Sequence, residues 1–190
     1  MGIRSAAGIL GVLFACTAVL AMTDEERAIL KGRSAAAVLS DTLRGKLVDS
    51  MKAGGPSGAM KVCSYQAQAL TREVEEREGV RVRRTSLKLR NPKNAPDEWE
   101  RQVLSRLQEQ ARAGKTPEEV FEAAEEEGKK VFRYAKPLMV GPACIACHGS
   151  GAEISAQVRS MLQERYPEDR ATGYKPGDFR GIVSAVVPAE

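Results

Sequence analysis

The chain opens on an apolar stretch from Ala6 to Met22, broken only by Gly8, Gly11 and Thr17, which gives way to the polar run Thr23–Arg27. With Arg4 ahead of it and Val19 and Ala21 at the −3 and −1 positions, residues 1–21 are predicted to be a secretory signal peptide cut after Ala21. Leu13-Phe14-Ala15-Cys16 is a poor lipoprotein box, because Phe14 is bulky and apolar residues continue past Cys16. The alternative is a retained anchor, although the run is short for a spanning helix of ~20 residues. In either case the folded part, residues 22–190, is expected to be exported to the periplasm, membrane-anchored only if the segment is retained.

Beyond it, Thr23 to about Ala53 reads as one long helix, acidic at its start, basic at its end and stopped by Gly54-Gly55-Pro56. Met60, Cys63, Ala67, Leu70 and Val74 recur at intervals of three and four, predicting a second helix over about 57–78. The period then shortens, and Val80, Val82 and Arg84, followed by Leu87 and Leu89, predict two short strands. Asn91 to Pro96 is a loop stiffened by two prolines. Asp97 is placed to cap a helix to about Ala113, and Thr116-Pro117-Glu118-Glu119 has the order of a capping box, predicting another helix to about Glu127. Val131–Ala135 reads as a strand with Phe132 and Tyr134 on one face. Glu153–Arg165 reads as a helix striped with Ile154, Val158, Met161 and Leu162, and Ile182–Val187 as a closing strand ended by Pro188. No internal repeat interrupts this order. It fits a single α+β domain: a small antiparallel sheet flanked by helices, with a long N-terminal helix.

Composition narrows the chemistry. At 190 residues, 43% hydrophobic and 28% charged, the chain suits one globular domain. A net charge of +4, from 29 basic and 25 acidic residues, is too small and dispersed to expect a nucleic-acid partner. Four cysteines are too few for a disulfide scaffold at this length. The single histidine, His148, excludes polyhistidine zinc sites, bis-histidine haem ligation within one chain, and any histidine triad centred elsewhere.

That histidine closes Cys144-Ile145-Ala146-Cys147-His148, the C-x-x-C-H pattern of covalent c-type haem attachment. Two cysteines three apart share one side of a helical turn, so both can form thioethers with the vinyl groups of one porphyrin. The adjacent imidazole is then presented to the iron. Export fits this chemistry, which is completed outside the cytoplasm. A thioredoxin-like pair would want a strand before the motif and an aromatic before the first cysteine, where Ala143 stands. A zinc knuckle would need a fourth ligand, for which Cys63 is available, and a structural disulfide is the plainest alternative. One covalent haem c is the reading these residues favour.

For the second axial position the residues leave Cys63, a methionine (Met51, Met60, Met139 or Met161), a lysine, or an open site. Met139 precedes Cys144 closely, whereas Met161 has the chain length to reach. Cys63 is the thiol left over, and it lies on the apolar face of its predicted helix, where a plain core cysteine is the alternative.

Met60–Ser64, Arg83–Pro92, Asn94–Trp99, Cys144–Gly149 and Gly173–Gly181 occur in order and together resemble a family of PAS-like single-haem c-type proteins. Members of that family occur alone in the periplasm and as sensor regions of histidine kinases and chemoreceptors. The resemblance spans about Thr23 to Pro188. It implies a PAS-like sheet, Cys144 and Cys147 as thioether residues, His148 as proximal iron ligand and Cys63 as distal thiolate.

A thiolate stabilises ferric iron and lowers the reduction potential. The expected function is therefore low-potential electron transfer with a periplasmic redox partner; the alternative is a haem-based redox or gas sensor signalling through a partner protein. No second titratable cluster accompanies the motif, so an enzyme is not expected. Arg83, Arg84 and Arg90 are candidates to pair with haem propionates, the alternative being an exposed basic strand and loop. The long first helix offers a face for a homodimer, unless it packs on its own sheet.

Overall fold

The computed structural model describes residues 22–189, so the expected signal segment lies outside the described residues. No helix among them is long and apolar enough to cross a membrane. The first helix, α1 (Asp24–Lys61), starts at a reciprocal cap: Thr23 Oγ1 accepts from the Glu26 N–H, and the Glu26 carboxylate accepts from the Thr23 N–H. The predicted stop is present as a break. Gly54 (φ −145°) and Gly55 (φ 59°) leave helical geometry before the chain resumes at Pro56. The predicted second helix is divided: its start continues α1, Val62–Gln66 is π-helical, and α2 (Ala67–Glu78) ends at Gly79 in the left-handed region.

The remaining elements are β1 (Arg81–Thr85), α3 (Glu98–Arg112), β2 (Val120–Glu126), β3 (Lys129–Met139), α4 (Ile145–His148), α5 (Ala156–Arg165) and β4 (Phe179–Pro188). The four strands form one antiparallel sheet in the order β1-β4-β3-β2. The fold is therefore α+β, with a long N-terminal helix and a small antiparallel sheet between helices.

Strand alternation sorts the two faces. Phe132 and Tyr134 of β3, Val183, Ala185 and Val187 of β4, and Val82 of β1 face one side. There they meet Ala28, Ala35, Ala36, Leu39 and Leu43 of α1 with Ala67 and Val74 of α2. Ala135 and Ile182 face the other side, against Val103, Leu104 and Leu107 of α3. The small residues of α1 let it lie close to the sheet. A Cβ on Gly32 would stand 2.9 Å from the Tyr134 Cβ. This face of α1 is thus taken up within the chain, and a homodimer through the helix would have to use its outward side, where Leu30 and Val48 are exposed.

Two sequence expectations are corrected. The segment after Thr116-Pro117 forms β2, not a helix. Glu127 (φ 52°) and Gly128 (φ 74°) make a two-residue turn of the kind that joins hairpin strands, pairing Glu126 with Lys129. The ladder then stacks Phe121 on Phe132 with ring centroids 5.4 Å apart, and Glu122 accepts from the Trp99 indole N–H at 2.7 Å. These contacts override the helical propensity of the glutamates. The second strand expected around Leu87 and Leu89 does not form either. Ser86 Oγ donates to the Arg180 carbonyl at 2.7 Å, and Leu89 O accepts from Arg170 N–H at 2.8 Å, drawing the chain away from the sheet.

Where β1 meets β4 there is no room for a side chain at Gly181, because a Cβ at this position would lie 2.3 Å from the Thr85 carbonyl oxygen. Gly181→Ala is expected to cost about 2 kcal/mol or more, read as a lower denaturation midpoint. An unchanged midpoint would show that this strand contact is dispensable.

Candidate functional site

A cavity of about 310 Å³ opens between α1, the π-helical segment, the sheet and α4. Cys63, Cys144, Cys147 and His148 all line it, with Leu43, Leu47, Val62, Leu138, Val140 and Val183 among its apolar walls. The three cysteines are free thiols. No group of three or more His, Cys, Asp or Glu side chains is gathered tightly enough to hold a bare metal ion among the described residues. The four side chains thus share a cavity without meeting at a point. That arrangement suits a broad flat ligand better than the tetrahedral zinc knuckle considered from the sequence.

The C-x-x-C-H motif is held from both ends. A 3-10 turn, Pro142–Cys144, leads into the single turn of α4, and Gly149 leaves it with its N–H on the Ile145 carbonyl at 2.9 Å. A Cβ at Gly149 would lie 2.6 Å from Ile145 Cγ2 and 2.8 Å from the Ile145 oxygen, so the exit requires glycine. The segment Gly173–Gly177 then straps the motif. Gly173 N–H donates to Gly149 O (2.8 Å), Tyr174 N–H to His148 O (2.9 Å), and Gly177 N–H to Val140 O (2.8 Å). Gly173 (φ 76°) and Gly177 (φ 90°) supply the two left-handed bends that this path needs. Val140, Ala171 and Tyr174 close a small apolar cluster over Cys144 and Ile145.

The chain itself fixes the tautomer of His148. Its Nδ1 lies 2.6 Å from the Ala171 carbonyl oxygen, which can only accept, so Nδ1 carries the proton and Nε2 keeps its lone pair. Burial, helped by the charges of Arg90 and Arg180, holds its pKa down to about 3, and the imidazole is neutral at physiological pH. Burial also pushes the Cys147 thiol up, against the pull of Arg90.

Arg90 fastens this arrangement. Its Nε pairs with Asp169 at 3.0 Å, and its Nη2 donates to the carbonyls of both Cys147 and Ala171, the latter at 3.3 Å. Asp169 also accepts from the Ala171 N–H at 2.7 Å. Arg90 is therefore committed to chain atoms. Arg83 points to the opposite face of the sheet, donating to the Ala95 carbonyl and lying 3.7 Å from Glu100. Of the three sequence candidates, only Arg84 lines the cavity while keeping its guanidinium free of such partners among the described residues.

Cys63 comes from the π-helical segment Val62–Gln66. Such segments fit one extra residue into a helix and are common at functional sites. Met60, one turn before, points instead into the cluster of Ile154, Val158, Leu162 and Tyr166 while still touching the cavity. Of the methionines weighed as ligands, Met51, Met60 and Met139 line the cavity, whereas Met161 packs on the α5 cluster outside it. Sequence reading missed Asp169 and Arg180. Arg180 stands within the Gly173–Gly181 segment, and that run of glycines around charged residues was the available signal.

A family model for Tll0287-like proteins matches residues 17–188, nearly the whole chain. The chain belongs to the Tll0287-like family. Among solved structures it is similar to that of the cyanobacterial haem protein Tll0287, with a TM-score of 0.63 and 26% identity over 83% of this chain and 92% of that one. The family resemblance drawn from the sequence motifs is thereby supported. No curated protein matches this Tll0287-like chain.

Because Arg90 and Asp169 are only 10% and 9% exposed, Asp169→Ala leaves a buried cation unpaired. The variant is expected to lose about 3 kcal/mol in urea unfolding, with Asp169→Asn, which retains an acceptor, losing less. Equal midpoints for all three proteins would remove the pair from its anchoring role.

Proposed function

We propose that this Tll0287-like chain is an exported c-type haem protein that carries electrons at low potential. The observation that supports it most is the neutral His148, with Nε2 unprotonated, facing one cavity together with the thiols of Cys63, Cys144 and Cys147. The cavity suits the group: its walls are largely apolar, and its charged lining among the described residues is entirely cationic, as the two carboxylates of a haem require. In this reading Cys144 and Cys147 form the thioethers, His148 is the proximal ligand and Cys63 the distal one. Bound haem would supply one-electron exchange between ferric and ferrous iron.

The residues determine what kind of exchange this is. The Ala171 carbonyl orients His148 and makes its Nε2 a better donor. A Cys63 thiolate donates electron density and carries negative charge, which favours the ferric state and lowers the potential. In this reading Cys63 from the π-helical segment and His148 from α4 would both hold the iron. A haem held so would leave no position open for a substrate, which suits a carrier better than a catalyst. Export rests on the Arg4 and Ala6–Met22 pattern, which also fits periplasmic haem attachment.

Full-length protein matured in a bacterial periplasm is expected to keep its haem through acid–acetone extraction and to show thiolate-type ferric bands. Cys63→Ala should keep the covalent haem and lose those bands. A reduced wild type indifferent to carbon monoxide supports the carrier, whereas rapid carbon monoxide uptake transfers the function to sensing. Extractable haem, or none at all, overturns the proposal.

A further inference from the structure

Among the described residues Arg84, Arg90, Arg133 and Arg180 are largely enclosed by the fold, and the chain treats them differently. Arg133, on the face of the sheet that meets α3, is 7% exposed, pairs with Asp97 and with Glu126 (3.2 Å), and lies 4.5 Å over the Trp99 ring. Arg90 pairs with Asp169. Arg84 has no hydrogen bond or ion pair to any described residue. Its position makes this more telling. Arg84 alternates with Val82 on the apolar face of β1 and is paired in register with Val183 of β4, where the neighbouring positions of that face carry hydrophobic side chains. A cation there with no carboxylate beside it, and only the Cys63 thiol and the Tyr166 hydroxyl near, breaks the pattern that the rest of the sheet keeps, and such breaks concentrate at functional sites.

The cavity that Arg84 faces is lined by Arg44, Arg84, Arg90 and Arg180 and, among the described residues, by no aspartate or glutamate. Arg44 is exposed at its edge and Arg90 is already neutralised. Arg180 gives one N–H to the Lys88 carbonyl (3.1 Å) and lies 5.4 Å from the Tyr174 ring, with no carboxylate partner among the described residues. Adjacent strands β1 and β4 thus bring two guanidiniums that lack a carboxylate ion pair to one apolar cavity; Cys63 and Tyr166 lie near Arg84, and Tyr174 and Asp169 near Arg180, so an occupant with carboxylates would complete their pairing.

We propose that Arg84 and Arg180 anchor the two propionate carboxylates of the haem, with Arg84 as the principal anchor. This rests on the haem reading above. It gives each basic residue a separate role, in which Arg90 builds the motif, Arg83 braces α3, and Arg84 and Arg180 recognise the cofactor.

Resonance Raman spectra of the matured full-length protein test it through the propionate bending bands, which report hydrogen bonding to those carboxylates. Arg84→Leu is expected to shift one band and Arg180→Leu the other, while both variants keep covalently bound haem. Arg84→Lys should restore most of the shift. If Arg84→Leu fails to accumulate with haem, Arg84→Gln is read in the same way. Bands unmoved in the haem-bearing variants overturn the assignment. A wild type without haem instead removes the function proposed above, so the two failures are distinguishable.

Discussion

The guanidinium of Arg90 ties together stretches of chain that lie 57, 79 and 81 residues away from it: the Cys147 carbonyl, the Asp169 carboxylate and the Ala171 carbonyl. A planar fork of five donors is suited to this, because it can satisfy a carboxylate and two main-chain oxygens without moving. The geometry of the C-x-x-C-H turn follows from that junction. Ala171 is held where its carbonyl fixes the tautomer of His148, and the strap beyond it is led onto Gly149 and His148. A short helical turn with four residues and no side-chain cap of its own is thereby kept in one geometry.

The sheet separates bracing from the cavity. Its α3 face carries the polar bracing, in which Arg133 joins the Asp97 cap of α3 to Glu126 of β2 and stacks on Trp99. Burial works to raise the Asp97 carboxyl, but the Glu100 N–H and Arg133 outweigh it and hold the group below its ordinary value. The opposite face is apolar under α1 and α2, and it becomes a cavity only where α1 breaks at Gly54-Gly55 and the helix turns π-helical. Rigidity on one side and an interruption of regular packing on the other are what give a domain of this size an interior site.

Much of this was legible in the residues. C-x-x-C-H announces itself by spacing, the Asp97 cap and the helix break at Gly54-Gly55 are local chemistry, and the alternation of Phe132 and Tyr134 marks the inner face of β3. What was not legible depended on distant partners. Glu118 and Glu119 read as the start of a helix because the Glu127-Gly128 turn lacks the asparagine or aspartate that usually signals a hairpin. Arg83, Arg84 and Arg90 look alike in sequence, yet one faces α3, one faces the cavity and one is consumed by Asp169. Only the strand register and the return of the chain at 169–171 tell them apart. Cys63 fell on the apolar face of a helix drawn with a constant period, and the π-helical segment that presents it has no compositional mark.

That segment has a consequence for how such a site can arise or be lost. A π-helical turn accommodates one more residue than an α-helix of the same rise, and each α-helical residue advances the azimuth by about 100°. Removing a single codon between Val62 and Gln66 would let the ladder close as an ordinary α-helix. The thiol and the residues before it would then be rotated relative to α2 by that angle. The C-x-x-C-H motif, far along the chain at Cys144–His148, would be untouched. The placement of the Cys63 thiol and that of the C-x-x-C-H motif are therefore separable in this architecture: the register of one helix sets the first, and a pentapeptide sets the second.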